Sequence, residues 1–338
     1  MNAYMPIALA PVMLIGFAAH RASLCTVRAV AETMSSGTAW MLGSFLKAAA
    51  WAAAISGSLI LLFPAAALPT LERTPHAVAL AGGFVFGVGA AVNGGCSLST
   101  LQRLADGDLS MLGTLAAFVI GVLAASGFDA SQGSGTLRQV ASFWLSGNAL
   151  VVPLLLLLWL WVLAESLRLW RSSSGSGASL WARVLAPAYR LSSAAALLGI
   201  AAGILYNLQG AWTYTSFLRA EAASWLDHTP TPSGVHALLV IALLAGMLAS
   251  SWQRRSFSPG NRWRQWPRRM TGGLLMGAGG ALVPGGNDTL ILAAVPTASI
   301  WALASYLALI AGVAATLFAM RVMAGKLPAV ECSNDQCR

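Results

Sequence analysis

The chain is short of charge. Only 9% of its 338 residues are Asp, Glu, Lys or Arg, against about 25% in an average soluble domain, so a large water-exposed enzyme domain is excluded. Lysine is nearly absent, since 18 of the 20 cationic residues are arginine. His20, His76, His228 and His236 do not cluster with carboxylates, and the GxSxG, HExxH and P-loop patterns are missing. Nothing therefore supports catalysis, a metal centre or a bound cofactor, and none is expected. Cysteine is scarce too. Cys25 and Cys96 stand in apolar context and Cys332 and Cys337 in a polar tail, so no disulfide framework is expected. The N-terminus lacks a basic segment ahead of its first apolar run, so a cleaved signal peptide is not expected.

What is abundant is apolar length. Hydrophobic residues make up 57% of the chain and tryptophan occurs 13 times. A membrane span needs about 20 apolar residues, and candidates run over 3–19, 40–63, 78–104, 109–127, 150–167, 191–208, 235–252, 271–296 and 299–320. The expected fold is an all-α polytopic membrane protein with about nine transmembrane helices. The net charge of +9 is not a nucleic-acid footprint. Its arginines sit in short loops between apolar runs, which is the pattern that sets membrane topology, and no nucleic-acid partner is expected.

The chain also repeats itself. A shift of 191 lays Cys25 on Ser216, Arg28 on Arg219, Cys96 on Asn287 and Gly121 on Gly312; with one residue of slip, Gly82, Gly83, Gly87 and Gly89 fall on Gly272, Gly273, Gly277 and Gly279. Four regions follow: a first repeat over 1–127, a linking span with a Ser/Gly/Arg-rich linker over 128–190, a second repeat over 191–320, and a Cys-containing tail over 321–338. If each repeat crosses four times and the linking span once, every loop cation except Arg73, Arg138 and Arg219 falls inside. The N-terminus is then outside and the C-terminus inside. The odd linking span inverts the second repeat, a plan shared by many transporters. Re-entrant hairpins would instead make the copies parallel, with a poorer charge fit.

Each repeat is interrupted in the middle of an apolar run, at Gly94-Gly95 and at Gly285-Gly286. In lipid a break is tolerated only where it is buried in protein or lines a cavity. Half-helix N-termini at such breaks carry free N–H groups and about +0.5 charge, which favours a small anion near the midplane. Cys96 and Ser97 sit at the first break and Asn287 at the second. Cys25 lies at another break of the first repeat, with Arg28 three residues on as a cation for an anionic guest. Lys47, inside an apolar span, either snorkels or places a fixed positive charge beside the path. Asp288 is awkward for an anion site, and Ser216 and Asn207 read as capping or packing residues. Thiols are poor donors for hard oxyanions, so cysteine at the centre points to a soft, sulfur-bearing anion.

The stretches GFAAHRASLCTVRAV, NGGCSLSTLQRLADGDL and VPGGNDTLIL together resemble the YeeE/YedE family of sulfur-transport membrane proteins, over nearly the whole chain. The resemblance implies thiosulfate uptake across the bacterial inner membrane, with the anion handed along cysteine thiols. Cys25 and Cys96 match two of the family's thiol stations, and the third falls on Asn287, so a related sulfur or selenium species stays open. It also implies a cytoplasmic sulfurtransferase or sulfur-carrier partner. Two other readings stand beside it: a passive channel with packing cysteines, and a membrane thiol-redox protein using Cys25 and Cys96 as a pair.

Overall fold

The computed structural model describes all residues except 1–4, 75, 133–135, 175–179, 228–233, 284, 326–329, 331, 334 and 338. Part of the Ser/Gly linker, Pro284, His228, Lys326 and Arg338 thus lie outside the described residues. In chain order the elements are α1 (Met5–Arg21), α2 (Thr26–Ser36), α3 (Trp40–Leu62), β1 (Thr70–Thr74), α4 (His76–Asn93), α5 (Ser97–Ala105), α6 (Ser110–Gln132), β2 (Thr136–Val140), α7 (Val151–Ser174), α8 (Leu180–Val184), α9 (Leu191–Gln209), α10 (Tyr214–Asp227), α11 (Gly234–Arg254), α12 (Trp266–Leu282), α13 (Asn287–Thr289), α14 (Ile300–Ala324), β3 (Cys332–Ser333) and β4 (Gln336–Cys337). Strands β1 and β2 form a short antiparallel ribbon, and so do β3 and β4. The protein is an all-α polytopic membrane fold, with eight helices long and apolar enough to cross a bilayer. These eight are counted among the described residues, against about nine expected, and the 17-residue α12 is not among them.

Close approaches at glycine fix the helix directions, because backbones can meet where a side chain is missing. Gly82 faces Gly279 while Gly89 faces Gly272, so α4 and α12 run antiparallel. Gly83 faces Ser305 and Gly87 faces Leu309, so α4 and α14 run parallel; Gly113 against Met270 and Gly121 against Leu274 make α6 parallel to α12. Likewise α3 runs parallel to α9 through Ala48–Gly199 and Ile55–Gly203, and α1 runs parallel to α11 through Gly16–Leu243 and His20–Ser250. Each pairing has a partner: α1 with α11 answers α9 with α3, and α4 with α14 answers α12 with α6.

The outer surface fits lipid. Val152, Leu156, Leu157, Leu160 and Leu163 of α7 are exposed, and Trp170, Trp181, Trp252 and Trp263 are exposed among the arginine-rich loops, where interfacial tryptophan is enriched. At that same end Asp106, just past α5, ties three helix ends together. It accepts hydrogen bonds from His20 Nε2 at 3.0 Å, Ser251 Oγ at 2.8 Å and Ser256 Oγ at 2.6 Å. Burial alone pushes this carboxyl up, but the hydrogen bonds outweigh it and hold it below the usual carboxylate value. Their contribution is present at neutral pH and fades as pH falls through that lowered value.

The tail departs from expectation. Cys332 is disulfide-bonded, and its backbone pairs with Cys337. Asp335, in the turn between them, caps α9 by accepting from the Ser192 N–H at 3.2 Å and the Ser192 hydroxyl at 2.9 Å.

Candidate functional site

The break after α4 divides one crossing into two helices. Helix α4 has 18 residues of its own and ends where Arg103, Arg268 and Arg269 donate to the carbonyls of Gly94, Val92 and Asn93. Gly94 turns the chain at φ 76°, a conformation that glycine adopts without steric cost. Helix α5 then starts beside Thr114, Phe118 and Met276, partway along α6 and α12, and runs until Asp106 meets His20. Its N-terminus is therefore deep in the protein and its C-terminus near the loops. Helices α4 and α5 together make one interrupted crossing over 76–105, as expected, with α5 restarting from the interior after the break.

Three more short segments open at the same depth. Cys25 precedes α2 as Cys96 precedes α5, and each gives its carbonyl to the first turn, to Ala29 N and Thr100 N. Thr213 does the same for α10 through Phe217 N. Gly286 precedes α13, which continues as a π turn over Leu290–Ala294, a form frequent at functional sites.

The side chains at these openings interlock. The Cys25 thiol has the Cys96 thiol, the Ser99 hydroxyl and the backbone N–H groups of Cys96 and Arg28 as its neighbours. Both thiols are free and buried. Ser97 Oγ donates to Asn287 Oδ1, and Asn287 Nδ2 donates to Thr26 Oγ1 at 3.0 Å. Thr215 Oγ1 donates to Asp288 Oδ1 at 2.6 Å and accepts from Gly286 N–H at 2.8 Å. Thr213 and Thr289 join through their hydroxyls at 2.6 Å. Tyr214 reaches Ser97 from α10. The Tyr306 hydroxyl sits near Thr26 without completing a hydrogen bond.

Most of the expected residues meet here. Cys25, Cys96, Ser97, Asn287 and the glycines Gly94, Gly95, Gly285 and Gly286 share one polar core. Gly95 and Gly286 allow close approach: a Cβ on Gly95 would collide with Ser99, and one on Gly286 would lie 2.9 Å from both Asp288 Oδ1 and Phe86 Cζ. Two expectations shift. Arg28 contributes its backbone N–H to the thiol, and its half-buried guanidinium forms no hydrogen bond or ion pair among the described residues. Lys47 is elsewhere. Its ammonium donates to Glu165 Oε1 and to Ser192 Oγ, each at 2.7 Å, so its charge is neutralised between α3, α7 and α9. Glu165 is only 6% exposed. Glu165 keeps a second cation, Arg168 Nε at 3.5 Å, so Lys47→Met should destabilise the protein by about 1–3 kcal/mol, the cost of one lost charged hydrogen-bond partner rather than of a stranded carboxylate. Thermal unfolding of Lys47→Met beside Lys47→Met/Glu165→Met checks this, and the double variant should recover most of the loss.

The two breaks are also locally alike. Gly95 faces Ser99 as Gly285 faces Thr289, and α5 starts at Ser97 as α13 starts at Asn287. The local offset is 287 − 97 = 190, so Asn287 answers Ser97, and Gly286 answers Cys96. Sequence reasoning missed Thr215, Tyr214 and Tyr306. Threonine and tyrosine inside apolar runs give no local polar signal, and only the fold brings them inward.

A small cavity of about 30 Å³ touches Leu98, Thr213, Tyr214 and Asp288. Among the described residues no three potential metal-ligating side chains cluster. A family profile described as sulphur transport matches residues 21–315, most of the chain. No curated protein matches it.

Proposed function

The chain belongs to the sulphur transport family, and from that premise we propose that it imports thiosulfate or a closely related sulfur or selenium anion across the bacterial inner membrane. The observation that carries this is the pair of neighbouring buried thiols, each at the opening of a half-helix, beside a group of hydroxyl and amide donors. Helices α2, α5 and α10 aim their free N–H groups at this core, which favours negative charge. Several donors in series replace the water shell that no single group could replace, since a hydrogen bond involving a charged group contributes about 1.5–3 kcal/mol. The sulfur of the guest meets Cys96 and Cys25, and its oxygens meet Ser97, Asn287 and Tyr306, whose hydroxyl lacks a partner.

The repeats are inverted in this reading, with the N-terminus periplasmic and the C-terminus cytoplasmic. The antiparallel course of α4 and α12, the exchange of helix pairings and the arginine-rich tryptophan belt at one end all support it. The anion moves inward when the half-helices of one repeat separate from those of the other, and a cytoplasmic sulfurtransferase or sulfur-carrier protein receives it. Labelled-thiosulfate uptake into sealed vesicles carrying the purified protein tests the reading. Uptake should saturate and resist competition by sulfate. Unsaturable flux of unrelated solutes would point to a channel instead.

A second reading draws on the same pair. Neighbouring thiols could close as a disulfide and make the protein a thiol-redox device. A reversible Cys25–Cys96 disulfide linked to activity would favour it, and transport with both thiols reduced throughout would discard it.

A further inference from the structure

Asp288 has no obvious place in an anion site. It is 4% exposed and sits beside Asn287 at the core. Its Oδ1 accepts from Thr215 Oγ1 at 2.6 Å and Ser97 Oγ at 3.2 Å, and its Oδ2 from Thr215 N–H at 3.4 Å. Among the described residues no lysine, arginine or histidine pairs with it. The titratable groups around it are Tyr214 on α10 and Cys96 before α5, with Tyr206 on α9 lining the same cavity and Cys25 before α2 and Tyr306 on α14 behind the thiols. All are neutral or anionic, so none offsets a carboxylate. An unpaired buried carboxylate is strongly disfavoured, and it repels any anion lodged next to it.

Protonation removes both problems, and a path for the proton exists. The cavity of about 30 Å³ reaches from Asp288, Thr213 and Tyr214 to Gly210 and Trp212, and is large enough for water. Gly210 and Trp212 also line a vestibule of about 500 Å³ that holds Gln139, Gln209 and His236. The Gly210–Trp212 segment therefore borders both the cavity beside Asp288 and that vestibule. The buried Trp212 Nε1–H has no partner among the described residues, which suits a bridging water.

We infer that Asp288 couples the anion to a proton, making the protein a proton–anion symporter. This rests on the anion-import reading. With the vestibule open, water hands a proton to the Asp288 carboxylate, and the neutral acid lets the anion settle against Ser97, Asn287 and the thiols. When the opposite side opens, the anion leaves and the acid gives its proton to the inner water. One proton and one anion move together per cycle, and each raises the affinity for the other by the same factor.

The test uses the full chain in vesicles containing a trapped pH dye, with membrane potential clamped by potassium and valinomycin and labelled thiosulfate outside. Wild-type uptake should acidify the interior by about one proton per anion. An outside-acid gradient of one pH unit should raise steady-state accumulation about tenfold, as one coupled proton requires. Asp288→Asn should lose both effects, and Asp288→Glu should restore acidification with a shifted pH dependence. Thiosulfate uptake without acidification, or accumulation that follows a sodium gradient instead, overturns the coupling and leaves anion import standing. Full coupling in Asp288→Asn removes Asp288 from the role. If wild-type vesicles take up no thiosulfate, the import reading falls and the symport goes with it.

Discussion

Cys96→Ala is expected to lower thiosulfate uptake at limiting concentration by about 10- to 100-fold, the loss that follows from removing one hydrogen bond to a charged guest. Cys96 precedes α5, is fully buried and neighbours the Cys25 thiol, so the missing donor is not readily replaced by water from outside. Cys25→Ala should give a loss of the same kind. Cys96→Ser keeps a donor but exchanges a soft sulfur for a hard oxygen, and should shift preference toward sulfate. Protein stability should change by only about 1 kcal/mol, because one sulfur atom is removed from a tight site. Thermal unfolding run beside the uptake assay separates the two effects. Wild-type uptake by both alanine variants would mean that the cysteines only pack.

Asn287→Leu should be worse, because it strikes the join between the repeats. Asn287 is 2% exposed; its Oδ1 accepts from Ser97 and its Nδ2 donates to Thr26 at 3.0 Å. A leucine leaves both hydroxyls buried without this partner, at about 1–3 kcal/mol each, and removes an amide donor from the anion's surroundings. Uptake should become undetectable and the melting temperature should drop by several degrees. Asn287→Asp, which keeps the size and the acceptor but adds charge next to Asp288, should retain the fold better than it retains uptake. Unimpaired uptake by Asn287→Leu would place the anion elsewhere.

The spans, the scarcity of soluble surface and the two Gly-Gly breaks were legible because a bilayer imposes simple rules on length and backbone satisfaction. The meeting of Cys25 with Cys96 was legible as two stations, though not as neighbours. Other features were hidden for physical reasons. A stretch such as 78–104 has one apolar composition whether its second half continues the first or restarts from the protein's interior, so the placement of α5 had no signature of its own. Lys47 looked like a charge beside a path because its partner, Glu165, lies 118 positions away. Thr215, Tyr214 and Tyr306 belong to segments whose inward faces depend on the fold, and Asp288 made sense only once the cavity beside it was visible.

The central claim is that a soft anion rests where the half-helix openings meet. Crystals grown with selenosulfate, in which selenium replaces the terminal sulfur of thiosulfate, test it most directly through anomalous scattering. The account predicts one strong selenium peak in contact with the Cys96 and Cys25 sulfurs and within the reach of Ser97 and Asn287. A peak confined to the arginine-rich loops, or an ordered guest bound away from both thiols, would contradict it.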